Sequence, residues 1–325
     1  MVIKVFKTFE LQDSDWIRIV SGFNRSFDRK TTKERLLCFY QSNSFGYAYH
    51  AVCYENDTVI GFTSILPFQY LYKERIFKAG ISCGSFVLKE FRYDAFILKD
   101  MLDALKTECV KNDFSVFLGV PNKNAFNYLK TFSGFKLIGN LNYYALPSKL
   151  LTVLRKDKFK FLNVITSFCF HIHCFINLIF SYIYNSKEKL SEYRLLITDD
   201  FHKTRFSASH YSYAEKGAIK CWYRIVDEAG IITAYLMDFR ENSYRTNKAL
   251  CVSVWHILNT ENVDMLLYVG TLRMKQGLLF KTPSRFQPKQ LPLIYGLLET
   301  DNKEQFDSMA NIKLWDFGLM NFDGR

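Results

Sequence analysis

Residues 161–184, from Phe161 to Tyr184, contain no formal charge. That stretch limits what the chain can fold into more than any other feature. As a helix it would run about 36 Å, long enough to cross a bilayer. It lies near the middle of the 325 residues, so wherever it goes it separates two long flanking regions. Advancing about 100° per residue, Asn163, Thr166, Ser167, His171, His173, Cys174, Asn177 and Ser181 gather on one half of the wheel. Phe161, Ile165, Phe168, Ile172, Phe175, Ile176, Ile179 and Ile183 fill the other half. Arg155, Lys156, Lys158 and Lys160 precede the stretch, and Lys187 and Lys189 follow it. With bases at both ends there is no asymmetry to orient a span. Three placements remain open: flat at a membrane interface, buried in a groove between the flanking regions, or spanning.

The charge distribution points the same way. Residues 151–190 hold six basic and two acidic side chains, residues 1–150 twenty and fourteen, and residues 191–325 seventeen and sixteen. The forty residues around the apolar stretch therefore hold +4 of the surplus of +11, over a third of it. A nucleic-acid surface would instead carry a basic stripe with interleaved aromatics, and no nucleic-acid partner is expected. With 49% apolar residues the chain can bury a core, which excludes disorder. Eight cysteines without a CxxC pair read as reduced, mostly buried thiols. Cys169, His171, His173 and Cys174 do not converge on one side of a helix, so no metal site is expected. The N-terminus, MVIKVFKTFELQDSDW, lacks the long apolar core of a secretory signal, and the expected location is cytoplasmic.

Either side of the apolar stretch, patterning predicts mixed α/β units. Extended runs flank the turn Glu55-Asn56-Asp57, and a third covers Ile76–Leu88. A helix follows over 93–112, with Phe96, Ile97, Met101, Leu102, Leu105 and Cys109 at helical spacing. Ser115–Gly119 reads as a short strand. A second helix opens at Pro121-Asn122 and closes at Gly134. Beyond residue 190, runs at 218–226 and 231–239, a helix near 248–258 and a strand near 265–269 repeat that order without detectable identity. The expected division is 1–147, a connector 148–190, and 191–325.

The segment Cys83–Gly134 carries the sharpest chemical signal. A strand ending in Phe86-Val87-Leu88 turns through Arg92 into a helix start, whose free amides and partial positive charge suit an anion. A second strand then meets Asn122 and Asn124 at another helix start. Val87, Arg92, Asn122, Ala125, Gly134 and Phe135 together make this segment resemble the acyl-CoA-binding core of the GNAT N-acetyltransferase superfamily. The closing stretch, with Pro283, Pro288, Pro292 and LWDFGLMNFDGR, resembles the tails of tandem GNAT-like proteins associated with surface-polysaccharide and cell-envelope biosynthesis.

The resemblance implies an α/β (α+β) fold class, with two GNAT-like mixed-sheet domains joined by the hydrophobic amphipathic helix. The second domain would be degenerate. It implies acetyl-CoA or another acyl-CoA as co-substrate, bound by Phe86, Val87, Leu88, Arg92, Tyr93, Asp94, Ala95, Phe96, Ile97, Asn122 and Asn124. Ala95 and Ile97 stand where the family has two small residues, and Ile97 is expected to crowd a pyrophosphate. Lys130 stands where the family has its tyrosine. Tyr128, nearby, is the candidate general acid or a packing residue. Glu74, just before the third strand, either reaches the site through water or is a solvated loop charge. Asp238 and Trp315, with Asp316, Asp323 and Arg325, are candidates for an acceptor groove; the alternative, which the pattern favours, makes Trp315 core and pairs the acidic residues with neighbouring bases. The activity implied is N-acyl transfer to a small-molecule or lipid-linked amine, such as an amino sugar of a surface-polysaccharide precursor. The basic-flanked connector 151–190 would bring the enzyme to the inner face of a membrane. A scaffold that has lost CoA binding, or a transferase using aminoacyl-tRNA, are the competing readings.

Overall fold

Tight turns set the first sheet. Asn56 and Asp57, then Lys73 and Glu74, adopt positive φ, the paired left-handed geometry that matches strand twist in a two-residue hairpin. The computed structural model describes residues 1–27, 30–298 and 308–322. In chain order the first half forms β1 (Val2–Lys7), α1 (Asp13–Phe27), α2 (Lys33–Gln41), β2 (Tyr49–Glu55), β3 (Thr58–Tyr72), β4 (Arg75–Val87), α3 (Phe96–Val110), β5 (Phe114–Gly119), α4 (Lys123–Phe132), β6 (Lys136–Asn140) and β7 (Asn142–Pro147). There follow α5 (Leu150–Val153), α6 (Asn163–Ile183), β8 (Tyr193–Leu195), α7 (Phe201–Arg205), β9 (Ser212–Lys216), β10 (Ile219–Glu228), β11 (Ile231–Glu241), α8 (Asn247–Thr260), β12 (Met265–Gly270), β13 (Phe280–Lys281), β14 (Pro292–Leu297), β15 (Trp315–Asp316) and α9 (Leu319–Phe322). Thr32, Asn122 and Thr246 start α2, α4 and α8, each side chain accepting the backbone N–H three residues on.

Among the described residues there are two mixed sheets. The first runs β1-β2-β3-β4-β5-β14-β6, with β8 and β15 attached beside β3, and the second runs β13-β7-β12-β11-β10-β9. Each contains one helix-crossed parallel pair, β4 with β5 around α3 and β11 with β12 around α8. Each parallel pair is then extended by an antiparallel strand from the other half of the chain. β14 pairs with β5 in the first sheet, and β7 pairs with β12 in the second. The divisions at 147 and 191 therefore run across a reciprocal exchange of strands.

The cores follow the sheets. One face of the first sheet packs Trp16, Ile19, Leu36 and Tyr40 of α1 and α2 against Phe62 and Phe86. The opposite face packs Ile97, Met101 and Leu105 of α3 and Leu129 of α4 against Tyr49, Ile65 and Phe117. The first face continues without a break into Trp222, Tyr235 and Leu267 of the second sheet.

Helix α6 lies along the outside of α8. Before it, Ser148 Oγ donates to Val263 O and Lys149 N to Asp264 O, beyond the C-terminus of α8. After it, Asn247 N donates to Ser186 O and Glu188 N to Arg245 O, at the other end. A single pass through a bilayer would put these anchors on opposite sides, and α6 does not fill a groove between the halves. Its weakly polar half faces inward. Cys174 and Ser181 are buried, the Asn163 amide bonds Leu151 N and Thr152 Oγ1, and His173 Nε2 meets Leu278 O. Its apolar half, Phe161, Val164, Ile165, Phe168, Ile172, Ile176, Ile179 and Ile183, faces outward.

A fragment ending at residue 190 loses β14 and leaves β7 without its sheet, exposing unpaired strand edges. It is expected to lack near-ultraviolet circular dichroism and to aggregate. Co-expression with 191–325 should restore a soluble complex; a soluble, cooperatively unfolding 1–190 would show that the exchange is dispensable.

Candidate functional site

The parallel ladder between β4 and β5 stops at Ser82 and Gly119, yet β4 continues through Val87. Within that extension Gly84 and Ser85 stand opposite Thr63 alone, a bulge that bends β4 away from β5. Gly84 has φ +62°, and a Cβ there would lie 2.5 Å from the Tyr40 hydroxyl, so the bend needs glycine. The wedge between the diverging strands holds two adjoining cavities of 340 and 220 Å³, both lined by Ser85, Leu98, Asn122 and Ala125.

Hydrogen-bond donors rim the wedge. Leu88 N donates to Ile60 O at 2.8 Å, so this amide belongs to β3 and is withdrawn from any ligand. By strand alternation the Val87 amide and carbonyl point to the opposite, open side. Arg92 confirms the direction, because its Nε donates to Val87 O at 2.8 Å and the residue is exposed. At the start of α3, Phe96 N donates to Asp94 Oδ1 at 2.8 Å and Lys99 N to the Tyr128 hydroxyl at 3.0 Å. The amides of Ile97 and Leu98 remain in that first turn. Tyr128 donates its own proton to Ala95 O, which ties α4 to α3, and acting as an acid elsewhere requires breaking that bond.

The structure brings Phe86, Val87, Arg92, Asp94, Ala95, Asn122, Asn124 and Tyr128 around one cavity. Other expected residues stand apart. The Ile97 side chain is buried against the sheet over Gly61, so it does not crowd a ligand, and only its amide faces the turn. Tyr93 is 84% exposed, and the Phe96 ring packs against Phe132; neither lines the wedge. Glu74 sits in the turn before β4, at the far end of a strand roughly 40 Å long, out of reach even through water. Phe27 and Ser85 line the cavity but were not singled out from the sequence. The spacing of Trp16, Ile19, Val20, Phe23 and Phe27 would have revealed α1.

The second half repeats the construction and closes it. β10 and β11 slip by one residue at Met237, and β11 and β12 pair over Thr233–Tyr235. Arg245 follows Met237 by the same interval as Arg92 follows Gly84. Here, though, the arginine is 1% exposed and turned inward. Its Nε meets Asp238 Oδ1 at 2.7 Å, and its Nη1 meets Asp316 Oδ1 at 2.6 Å and Glu188 Oε2 at 3.4 Å. Asp238 also accepts from Arg240 Nε and His202 Nε2, both at 2.7 Å. Burial alone would raise the Asp238 carboxyl, but Arg240, Arg245 and His202 hold it well below the usual carboxylate range. Burial pushes Glu188 up to about 7 against the pull of Arg245. The wedge itself is filled by the C-terminal segment, where Phe317 and Thr271 exchange hydrogen bonds and Gly318 bridges Gly270.

Two acceptor-site expectations are corrected by this closure. Asp238 is fully buried at the centre of the charge network. Trp315 is 0% exposed, stacks on Tyr193 at 4.6 Å and donates Nε1–H to Met309 O. Neither borders a groove. Asp316 does border a 260 Å³ cavity, with Glu188, Arg240 and Arg245, while Asp323 and Arg325 lie outside the described residues.

Solved structures share this fold. A GCN5-related N-acetyltransferase from Kribbella flavida superposes with TM-score 0.54 at 12% identity, over 91% of this chain and 72% of that one. The fold is GNAT-like. A probable N-acyltransferase from Enterococcus faecalis matches with TM-score 0.55 at 12% identity, over 92% and 73%. Saccharomyces cerevisiae N-myristoyltransferase, solved with bound myristoyl-CoA, matches with TM-score 0.52 at 9% identity, over 90% and 82%. At these identities the likeness is one of fold. No family model and no curated protein matches the chain. In GNAT-like terms, the first half keeps an open β4–β5 wedge and the second fills its own.

Arg245→Ala leaves Asp238 and Asp316 without their shared cation inside the protein, a loss expected to cost about 3–5 kcal/mol. The urea midpoint should fall accordingly; a midpoint unchanged from the parent would show that the network does not hold the second half closed.

Proposed function

We propose that the chain is an acyl-CoA-dependent N-acyltransferase whose donor occupies the β4–β5 wedge, with acetyl-CoA the first donor to test. The observation that carries this is the contrast between the two halves. One GNAT-like wedge is plugged by its own carboxylates and C-terminal segment, while the other stays open with Arg92 exposed beside it. In this reading Arg92 and the Ile97 and Leu98 amides receive the diphosphate. The Val87 amide faces the thioester oxygen and supports negative charge there during reaction. A neutral amine attacks the thioester carbonyl carbon, the C–N bond forms, and the C–S bond breaks to release CoA as thiolate. The proton the amine loses passes through solvent to that thiolate, which leaves the amide and the CoA thiol.

A second reading has its own observation. Asp94 and Tyr128 already occupy two amides of the first turn of α3, as in a GNAT-shaped scaffold that no longer binds CoA. Calorimetry with acetyl-CoA separates the two. Micromolar binding in the parent, weakened at least about tenfold in Arg92→Ala, supports the enzyme. Absence of binding up to millimolar CoA leaves the scaffold.

The same reading puts the acceptor at a membrane, with an amino sugar of a surface-polysaccharide precursor, free or lipid-linked, as the class to screen. Its support is α6, whose polar half is spent on the protein and whose apolar half is bare between exposed Arg155, Lys156, Lys158 and Lys160 and the Lys189 end. A helix of that kind lies in the headgroup region of an anionic bilayer. The protein should sediment with vesicles of phosphatidylcholine plus phosphatidylglycerol, less so as salt rises, and poorly with phosphatidylcholine alone. Phe168→Glu with Ile172→Glu should abolish sedimentation without changing the fold. Retention by that variant would refute the lipid contact.

A further inference from the structure

The seam between the two halves holds a cavity of 570 Å³ that acyl transfer at the wedge leaves unused. One wall is α2, and the other is formed by Ala208–Tyr211 with Arg224 of β10. Leu36, Phe39 and Tyr211 give the cavity an apolar lining, and Arg35 and Arg224 reach it from opposite walls. Arg205 is buried behind, with Nη1 on Ser42 Oγ at 2.8 Å. The one acid on the lining, Glu34, turns back to its own amide and to Thr32 at the start of α2. Arg35 has no carboxylate partner among the described residues. Glu228 acts on Arg224, so the excess positive charge on the lining is Arg35's, with Arg205 behind it. His210, on the same lining, records it, because burial together with Arg224, Arg35 and Arg205 lowers its imidazole to about 4.

We propose that this cavity binds an organic oxyanion, with a phosphate or carboxylate held between Arg35 and Arg224 and the carbon skeleton resting on Leu36, Phe39 and Tyr211. Paired guanidiniums over an apolar floor suit that combination better than an inorganic ion. Tyr40, fully buried on the other face of α2, meets Gly84 of the wedge, so α2 walls this cavity off and the site is separate from the wedge.

The test follows the His210 imidazole by NMR, assigned with His210→Gln, while UDP, inorganic phosphate or glucuronate is added to the whole protein. A bound anion is expected to raise the His210 pKa by about one unit or more. Affinity for the effective probe, by calorimetry, should fall at least about tenfold in Arg35→Gln and in Arg224→Gln and stay unchanged in Arg92→Ala. UDP binding with glucuronate inert identifies a phosphate, and the reverse a carboxylate; both support the site. Response to inorganic phosphate alone, or no response to any probe at millimolar concentration, overturns it. So does binding lost in Arg92→Ala and kept in Arg35→Gln, which would put the anion in the wedge. Acetyl-CoA binding is scored separately. CoA bound with no probe bound refutes only this cavity, and a probe bound without CoA refutes only the acyltransferase reading.

Discussion

Each sheet of this protein is completed by a strand from the other half of the chain, and everything else depends on that exchange. β14 covers the edge of β5, and β7 covers the edge of β12. Each wedge is therefore bounded on its outer side by a strand that must travel from the other half. The continuous core from Trp16 to Leu267 is the packing counterpart of that exchange.

The two wedges start from the same construction and end in opposite states. A bulge bends the leading strand in both, and an arginine stands at the same interval beyond it. In the first half Arg92 bonds one backbone carbonyl and keeps the rest of its guanidinium in solvent. In the second half Arg245 takes carboxylates from β11, from the chain after α6 and from β15. A buried cation so supplied no longer needs a ligand, and its network stitches three distant segments together. The arginine left open to solvent in one half is a structural knot in the other.

Helix α6 shows how a polar face can mislead. Half-polar helices normally turn that half to water. Here His173 meets Leu278 O of the second unit, Asn163 bonds Leu151 N and Thr152 Oγ1 of α5, and Ser181 donates to Leu178 O within α6 itself, and the isoleucines and phenylalanines are left outside. The basic residues at its ends then border an apolar surface rather than a soluble one.

The strand-and-helix order over 47–147 and 218–269, the turn at Asn56-Asp57, the caps at Asn122 and Gly134 and the wedge-lining set around Val87, Arg92 and Asn122 were determined by the sequence itself. These depend on local periodicity and turn chemistry, which act over a few residues. Glu74 was misplaced because its nearness to β4 in sequence is nearness to the wrong end of an extended strand. Asp238 and Trp315 were misplaced because a buried charge and a stacked indole look the same in sequence as exposed ones. The direction α6 faces, the exchange of β7 with β14, the closure of one wedge and the arginine-lined cavity at the seam were decided only by tertiary structure. Each joins residues tens to hundreds of positions apart, and no local pattern encodes which of them will meet.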